Sequence, residues 1–208
     1  MDGNGRWAQK RLLPRLIGHK KGVDSMTAIV ESCLKFNIPY LTLFGFSSEN
    51  WQRPEEEVSG IISLMASTLE TEVQRLHAEN IKLNFIGDVT KFPYPLQKAI
   101  AAAEQLTINN TKLTVSIAIN YGGRWDINQA TTKIASQVVN NSLSLDAITE
   151  LVVKSNLALG SFPDIDLLIR TSGVFRLSNF LLWELAYAEL YLPTYYGQIS
   201  MIMSLNWR

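Results

Sequence analysis

Tyr40-Leu41-Thr42-Leu43-Phe44-Gly45-Phe46 runs directly into Ser47-Ser48-Glu49-Asn50-Trp51-Gln52-Arg53-Pro54, and this stretch has the pattern of a strand passing through a polar loop into a helix. Its first half is apolar on both faces, as expected of a strand buried within a parallel sheet. Pro54 suits a first helical position, and Glu55, Glu56 and Glu57 fill the turn after it, so a helix starts here. Val58, Ile61, Ile62, Met65, Leu69, Val73 and Leu76 recur at helical spacing and carry that helix to about Asn80. The polar loop between strand and helix lies where open α/β sheets bind ligands, beyond the C-terminal end of a strand.

The same alternation extends in both directions. Upstream, Val23, Met26, Ile29, Val30, Cys33 and Leu34 form the apolar stripe of a helix that opens near Gly18-His19. Downstream, Lys82–Ile86 reads as a strand and Leu96–Leu106 as a helix. Leu113–Ile119 is a further strand, which runs through Asn120-Tyr121-Gly122-Gly123-Arg124-Trp125 into a helix over Asp126–Val139. A helix over Leu145–Lys154 and a last strand over Asp164–Arg170 follow. Strands alternating with helices predict an α/β fold, a mostly parallel sheet with right-handed crossovers and helices on both faces. No Pro/Gly/Ser-rich linker or low-complexity run divides the 208 residues, so a single domain over 1–208 is expected.

Composition removes several functions. Lys plus Arg and Asp plus Glu both total 19, which gives no overall attraction for nucleic acid, so any affinity for anions is local. A single cysteine, Cys33, excludes an internal disulfide and a multi-cysteine zinc site, and its place in a helical apolar stripe predicts a core thiol. No apolar run approaches membrane-spanning length and no signal-peptide pattern is present, so a soluble cytoplasmic protein is expected.

Local anion chemistry is concentrated at a few places. Asp2-Gly3-Asn4-Gly5-Arg6-Trp7 combines a flexible glycine loop, whose backbone N–H groups can approach an anion, with a guanidinium and a carboxylate suited to Mg2+. Without a ligand the same residues make a turn before a helix. Arg15 and His19 fall at a helix N-terminus, where free N–H groups favour anions, although His19 also fits a solvated capping role. The loop Ser47, Ser48, Glu49, Asn50, Trp51 and Arg53 is dense in hydroxyl, amide, indole and guanidinium groups; its alternative is a capping segment with a core tryptophan. Arg170, with Arg176 and Ser178 before a helix over Asn179–Tyr191, predicts a second anion pocket or, alternatively, one paired and one exposed arginine. Glu189 sits in an apolar stretch, where a carboxylate is costly unless it is paired or holds a metal.

Together these segments resemble the cis-prenyltransferases, and within them bacterial undecaprenyl diphosphate synthases. The resemblance rests on Asp-Gly-Asn-Gly-Arg-Trp at 2–7, Gly18-His19, Phe46-Ser47-Ser48-Glu49-Asn50-Trp51 with Arg53-Pro54, Asn120-Tyr121-Gly122-Gly123-Arg124, and the run from Arg170-Thr171-Ser172-Gly173 through Arg176-Leu177-Ser178 to Glu189-Leu190-Tyr191. It implies consecutive condensation of isopentenyl diphosphate onto an allylic diphosphate such as farnesyl diphosphate, with Mg2+, in a homodimer that meets the membrane through its lipid product. By the same resemblance Gly3, Asn4, Gly5, Arg6, Trp7, Arg15 and His19 bind the allylic diphosphate. Asp2 and Asn50 act at the reacting groups, and Ser47, Ser48, Glu49, Trp51 and Arg53 surround them. Arg170, Arg176, Leu177 and Ser178 take isopentenyl diphosphate, and Asp2 and Glu189 hold the metal. Apolar side chains along Val23–Leu34, Ile61–Leu69 and Leu113–Ile119 would line a hydrophobic tunnel or, equally, fill a core.

Three features depart from the family pattern. Only Met1 precedes Asp2, where an apolar strand is expected; Val174 and Phe175 replace polar residues; and Leu192–Arg208 does not match the usual tail. The alternative class is a non-catalytic diphosphate-binding or partner subunit of the same fold.

Overall fold

The structure is a computed structural model that describes residues 3–196. Its contacts divide the chain into two compact units, the first built from residues up to 120 with 170–175 and 192–196, the second from 121–169 and 176–191.

The first unit holds helices α1 (Asn4–Gln9), α2 (Arg15–Lys35), α3 (Glu55–Ala78) and α4 (Tyr94–Thr107), with strands β1 (Tyr40–Ser47), β2 (Ile81–Ile86) and β3 (Leu113–Tyr121). The strands form one parallel sheet in the order β1-β3-β2, in which Ile81 pairs with Leu113 and Ile86 with Ala118. β3 is central, and its burial on both faces explains why its sequence is apolar almost without alternation. Leu113 and Val115 join Ile81, Leu83, Ile29, Val30 and Cys33 in one core cluster, while Ile119 joins Phe46, Val58, Ile61, Phe92, Leu96 and Ile100 in another. The buried Cys33 thiol is pushed up to about 11 by desolvation, which fits the core role read from its spacing.

Three of the four helices start directly behind a proline. Pro14, Pro54 and Pro93 have φ near −55° and extended ψ, so each ends an extended segment at the angle from which a helix departs. Pro54 is therefore the residue before α3 rather than its first residue, and the three glutamates take the first turn as expected. α2 begins at Arg15, three residues ahead of Gly18, because Pro14 rather than the glycine starts it.

In the second unit α5 (Gly123–Val139) packs against α6 (Glu150–Asn156), and a two-stranded parallel sheet pairs β4 (Leu167–Ile169) with β5 (Glu189–Tyr191). The helix expected over Leu145–Lys154 divides into a short 3-10 turn at Leu145–Ala147 and α6, since Ile148 is extended and Thr149 caps α6 through its side chain. The strand expected over Asp164–Arg170 shortens to β4. The expected helix from Asn179 is absent from the described residues: Ser178, Asn179 and Leu181 adopt φ of 51°, 60° and 41°, left-handed values that no α-helix accommodates, and turns carry the chain to β5.

Candidate functional site

In the first unit, α1 and α2 lie unusually close, and two glycines allow it. A Cβ on Gly18 would stand 2.0 Å from the Asn4 carbonyl oxygen, and one on Gly22 would stand 2.3 Å from the Asn4 amide nitrogen. One face of α2 therefore receives the start of α1, and His19 is presented beside it. Gly3 precedes α1 with φ 87° and packs against Ser172, where a Cβ would meet the serine Cβ at 2.6 Å. The Arg6 Nη2 donates to the Ser172 hydroxyl at 2.7 Å, which ties the N-terminal loop to the segment that follows Arg170.

Three of the predicted anion ligands converge on a residue that the sequence reading treated only as a helix-start acid. Glu57, with a side chain only 9% exposed, contacts Arg15 Nε at 2.9 Å, His19 Nε2 at 3.1 Å and Arg53 Nη1 at 2.8 Å. The i,i+4 spacing from Arg53 to Glu57 was the available signal. Burial alone would raise the Glu57 pKa, but His19 and the two arginines outweigh it and hold the carboxyl below its ordinary value. His19 is lowered in turn, chiefly by desolvation, so its ring is neutral and its Nε2–H donates to the carboxylate. The guanidinium of Arg15 also lies against Gly5, at about 3 Å from where a Cβ would be. Three cationic or polar side chains, Arg15, His19 and Arg53, thus belong to one connected group with a single carboxylate at its hub.

The loop after β1 forms a short 3-10 helix over Ser48–Gln52, closed by a reciprocal cap. Asn50 Oδ1 accepts from the Ser47 N–H at 3.1 Å, and the Ser47 hydroxyl accepts from the Asn50 N–H. With its carbonyl oxygen engaged, the Asn50 amide has its NH2 donors to offer, a hydrogen-bonding and not a proton-accepting function. Trp51 is an anchor: its indole packs on Phe46 and Phe92, and its Nε1–H donates to Asn120 Oδ1 at 2.8 Å. Asn120, at φ 45°, passes the connection on by donating to the Asp88 carbonyl at 2.8 Å. Ser48 is half-buried, Glu49 is exposed, and Trp7 is half-buried beneath the Arg11 guanidinium.

An apolar cavity of about 180 Å³ opens from Asn4, His19 and Gly22. Val23 and Met26 of α2, Ile61, Leu64, Met65 and Leu69 of α3, and Leu43, Phe85, Ile117 and Ile119 of the sheet wall it, and Leu76 and Glu72 stand at its other side. The three stretches predicted to line a tunnel each contribute, although Ile29, Val30 and Cys33 belong to the core instead.

Asp2 lies outside the described residues. Arg170 is half-buried in the first unit. In the second unit Arg176 and Ser178 are exposed and Leu177 is half-buried, within turns and not at a helix N-terminus. Glu189 is exposed at the start of β5, so the burial cost inferred from its apolar neighbours does not arise; its N–H donates to the Asp166 carbonyl at 2.9 Å. The buried carboxylates of this unit are Asp126, which accepts from Tyr121 Oη at 2.8 Å and from the Ala158 N–H at 3.0 Å, and Glu184, whose Oε1 has no hydrogen-bond partner among the described residues. Desolvation raises both, and the neighbouring Asp126 charge adds to the rise at Glu184.

A prenyltransferase family model described as undecaprenyl diphosphate synthase matches residues 1–200. The chain belongs to this family. It is 47% identical over 211 residues to the farnesyl-diphosphate-specific ditrans,polycis-undecaprenyl-diphosphate synthase of Vibrio vulnificus YJ016, covering all of this chain and 84% of that one. The enzyme of the same name from Pasteurella multocida Pm70 is 53% identical over 191 residues, 92% of this chain and 80% of its own length. Among solved structures, lavandulyl diphosphate synthase from Lavandula x intermedia in complex with dimethylallyl diphosphate superposes with a TM-score of 0.93 at 34% identity, over 96% of this chain and 86% of that one.

Proposed function

We propose that the chain is a cis-prenyltransferase that condenses isopentenyl diphosphate repeatedly onto an allylic diphosphate, farnesyl diphosphate first, to give a long polyprenyl diphosphate precursor of the cell-wall lipid carrier. One observation carries this reading: a group of anion-suited side chains around Glu57 opens onto an apolar cavity within the same unit, a match for a substrate with a diphosphate head and a hydrocarbon tail.

In each round the allylic C–O bond breaks, C4 of the isopentenyl double bond attacks the freed carbon to leave positive charge at C3, and C2 loses a proton to form the new double bond. Gly3, Asn4, Gly5, Arg6, Trp7, Arg15 and His19 receive the allylic diphosphate, and the guanidinium groups stabilise the charge that grows on it as it departs. Arg53 and the loop Ser47, Ser48, Glu49, Asn50 and Trp51 close over the reacting carbons. The Asn50 NH2 orients a diphosphate oxygen, which takes the proton because an amide is too weak a base. Arg170, Arg176, Leu177 and Ser178 hold isopentenyl diphosphate.

Mg2+ is ordinarily held by one or two carboxylates together with substrate phosphates. Two carboxylates together with the diphosphate suffice for such a site, and Asp2 and Glu189 would supply them. When bound, the metal would neutralise charge on the departing diphosphate. The reading further includes one folded domain over 1–208, a cytoplasmic homodimer, and membrane contact through the product; no helix among the described residues is long and apolar enough to cross a membrane.

The decisive measurement is incorporation of radiolabelled isopentenyl diphosphate with farnesyl diphosphate and Mg2+, resolved by product length. Long polyprenyl products are expected. Tight diphosphate binding without incorporation would support the non-catalytic alternative. Arg170→Ala and Arg176→Ala are each expected to raise KM for isopentenyl diphosphate more than that for the allylic substrate, and equal effects on both would argue against two sites.

A further inference from the structure

We infer that the connection between α1 and α2, with the first turns of α2, is a docking surface for an anionic lipid bilayer. Residues 9–17 are exposed without a break. Within them Leu12 is 97% exposed on a left-handed backbone, and Leu13, Leu16 and Ile17 keep 39%, 44% and 41% of their surface in solvent. Single exposed leucines are ordinary, but four large aliphatic side chains between positions 12 and 17 form a contiguous apolar patch.

The charge around the patch selects the partner. Lys10 and Arg11 precede it, Lys20 and Lys21 follow it, and all four are exposed. From Gly3 to Val23 the chain has no aspartate or glutamate, although carboxylates and cations balance over the whole sequence. Arg11 is held over the Trp7 ring and Lys10 over the Tyr196 ring, which fixes both cations at the edge of the patch. Lys21 pairs with Asp24, but both groups are more than half exposed, so this contact yields readily to another anion. Arg15 is excluded because it serves Glu57. Aliphatic side chains ringed by cations and free of carboxylates are what an interface between hydrocarbon and acidic headgroups requires. The inference deepens the prenyl-transfer reading and rests on it for its purpose: α2 shows its first turns to this surface and lends Val23 and Met26 to the apolar cavity, so a water-insoluble product would form beside the bilayer that accepts it.

The test uses the full chain and vesicles of phosphatidylcholine alone or mixed equally with phosphatidylglycerol, without substrate. Co-sedimentation with the anionic vesicles, little with the neutral ones, and loss of binding at high salt are expected. Leu12→Asp with Leu13→Asp is expected to lower partitioning about tenfold or more, since it removes two aliphatic anchors and adds two repelled charges. Lys20→Glu is a second probe and is expected to weaken binding to anionic vesicles only. Melting temperature and prenyl transfer from farnesyl diphosphate in detergent are expected to stay at wild-type values in the Leu12/Leu13 variant, because neither residue serves the diphosphate site. Equal binding to both vesicle types, or binding untouched by all three substitutions, overturns the proposal. Self-association that the Leu12/Leu13 variant abolishes would assign the patch to a second copy and overturn it too. Wild-type protein that binds anionic vesicles but makes no polyprenyl product defeats the prenyl-transfer reading and leaves the surface standing; synthesis without vesicle binding does the reverse.

Discussion

Glu57 shows how one carboxylate organises several cations. Without it, Arg15 and Arg53 would repel each other and swing into solvent, and His19 would lose the acceptor that orients its ring. Glu57→Ala is therefore expected to raise KM for the allylic diphosphate about tenfold, the scale of one lost charge-assisted contact, with a smaller fall in kcat. Glu57→Gln, which can still accept from Arg53, is expected to recover part of the loss. Steady-state kinetics of both variants check this, and an unchanged KM would mean that the cations position themselves. The pH dependence has a defined sign. Glu57 is lowered in the fold, so its contribution to stability is full above its ordinary 4.5 and is lost as pH falls through the lower folded value. His19, lowered below 6.5, acts in the same direction and its contribution fades on acidification. Glu184 works the opposite way: raised by burial, it favours its protonated form in the fold, so its penalty grows as pH rises above 4.5. Glu184→Gln removes that protonation cost and is expected to raise the melting temperature more at pH 8 than at pH 4.5. Thermal scans at both pH values decide the matter, and the same gain at each would mean that Glu184 is not held neutral.

At the level of elements, Gly18 and Gly22 let α1 approach α2 closely. Gly18 leaves room for a backbone carbonyl, which cannot rotate away as the end of a side chain can. Gly18→Ala is therefore expected to cost about 1–3 kcal/mol or more by overpacking and to push α1 off α2, displacing Asn4 and Gly5 from the diphosphate site. Denaturant unfolding and binding of the allylic diphosphate should both report it; a stable, fully binding variant would show that the helices separate freely. The cavity wall on α3 supplies another case. Leu64→Trp fills apolar space and is expected to shorten the polyprenyl product while condensation of the first isopentenyl units continues, as read by chromatography of the products. A product of unchanged length would mean that the growing chain does not follow this cavity.

For the molecule as a whole, the path of the chain predicts its cooperativity. It passes between the two compact units at 120–121, 169–170, 175–176 and 191–192, so neither unit is continuous in sequence and neither is expected to unfold alone. A single calorimetric transition is expected, with van't Hoff and calorimetric enthalpies equal. Two resolved transitions would contradict one folded domain over 1–208.

The α/β class, the buried central strand β3, the core role of Cys33 and the segments that resemble prenyltransferases were legible in the chain, because each depends on local periodicity, turn chemistry or residues within one short stretch, whereas β1, read as buried, lies at the sheet edge among the described residues and buries only Leu43 and Phe46. Pro14 and Pro93 carried the same start signal as Pro54 and could have been read in the same way. Tertiary packing alone makes Glu57 the hub of the cations, ties Arg6 to Ser172 across 166 positions of chain, and engages the Asn50 carbonyl with the Ser47 N–H. It also decided that Glu189 is exposed while Glu184 is buried, because three left-handed residues break the helix whose periodicity the sequence suggested. These facts depend on which side chains meet after distant segments pack, and neither hydrophobic period nor residue spacing encodes that meeting.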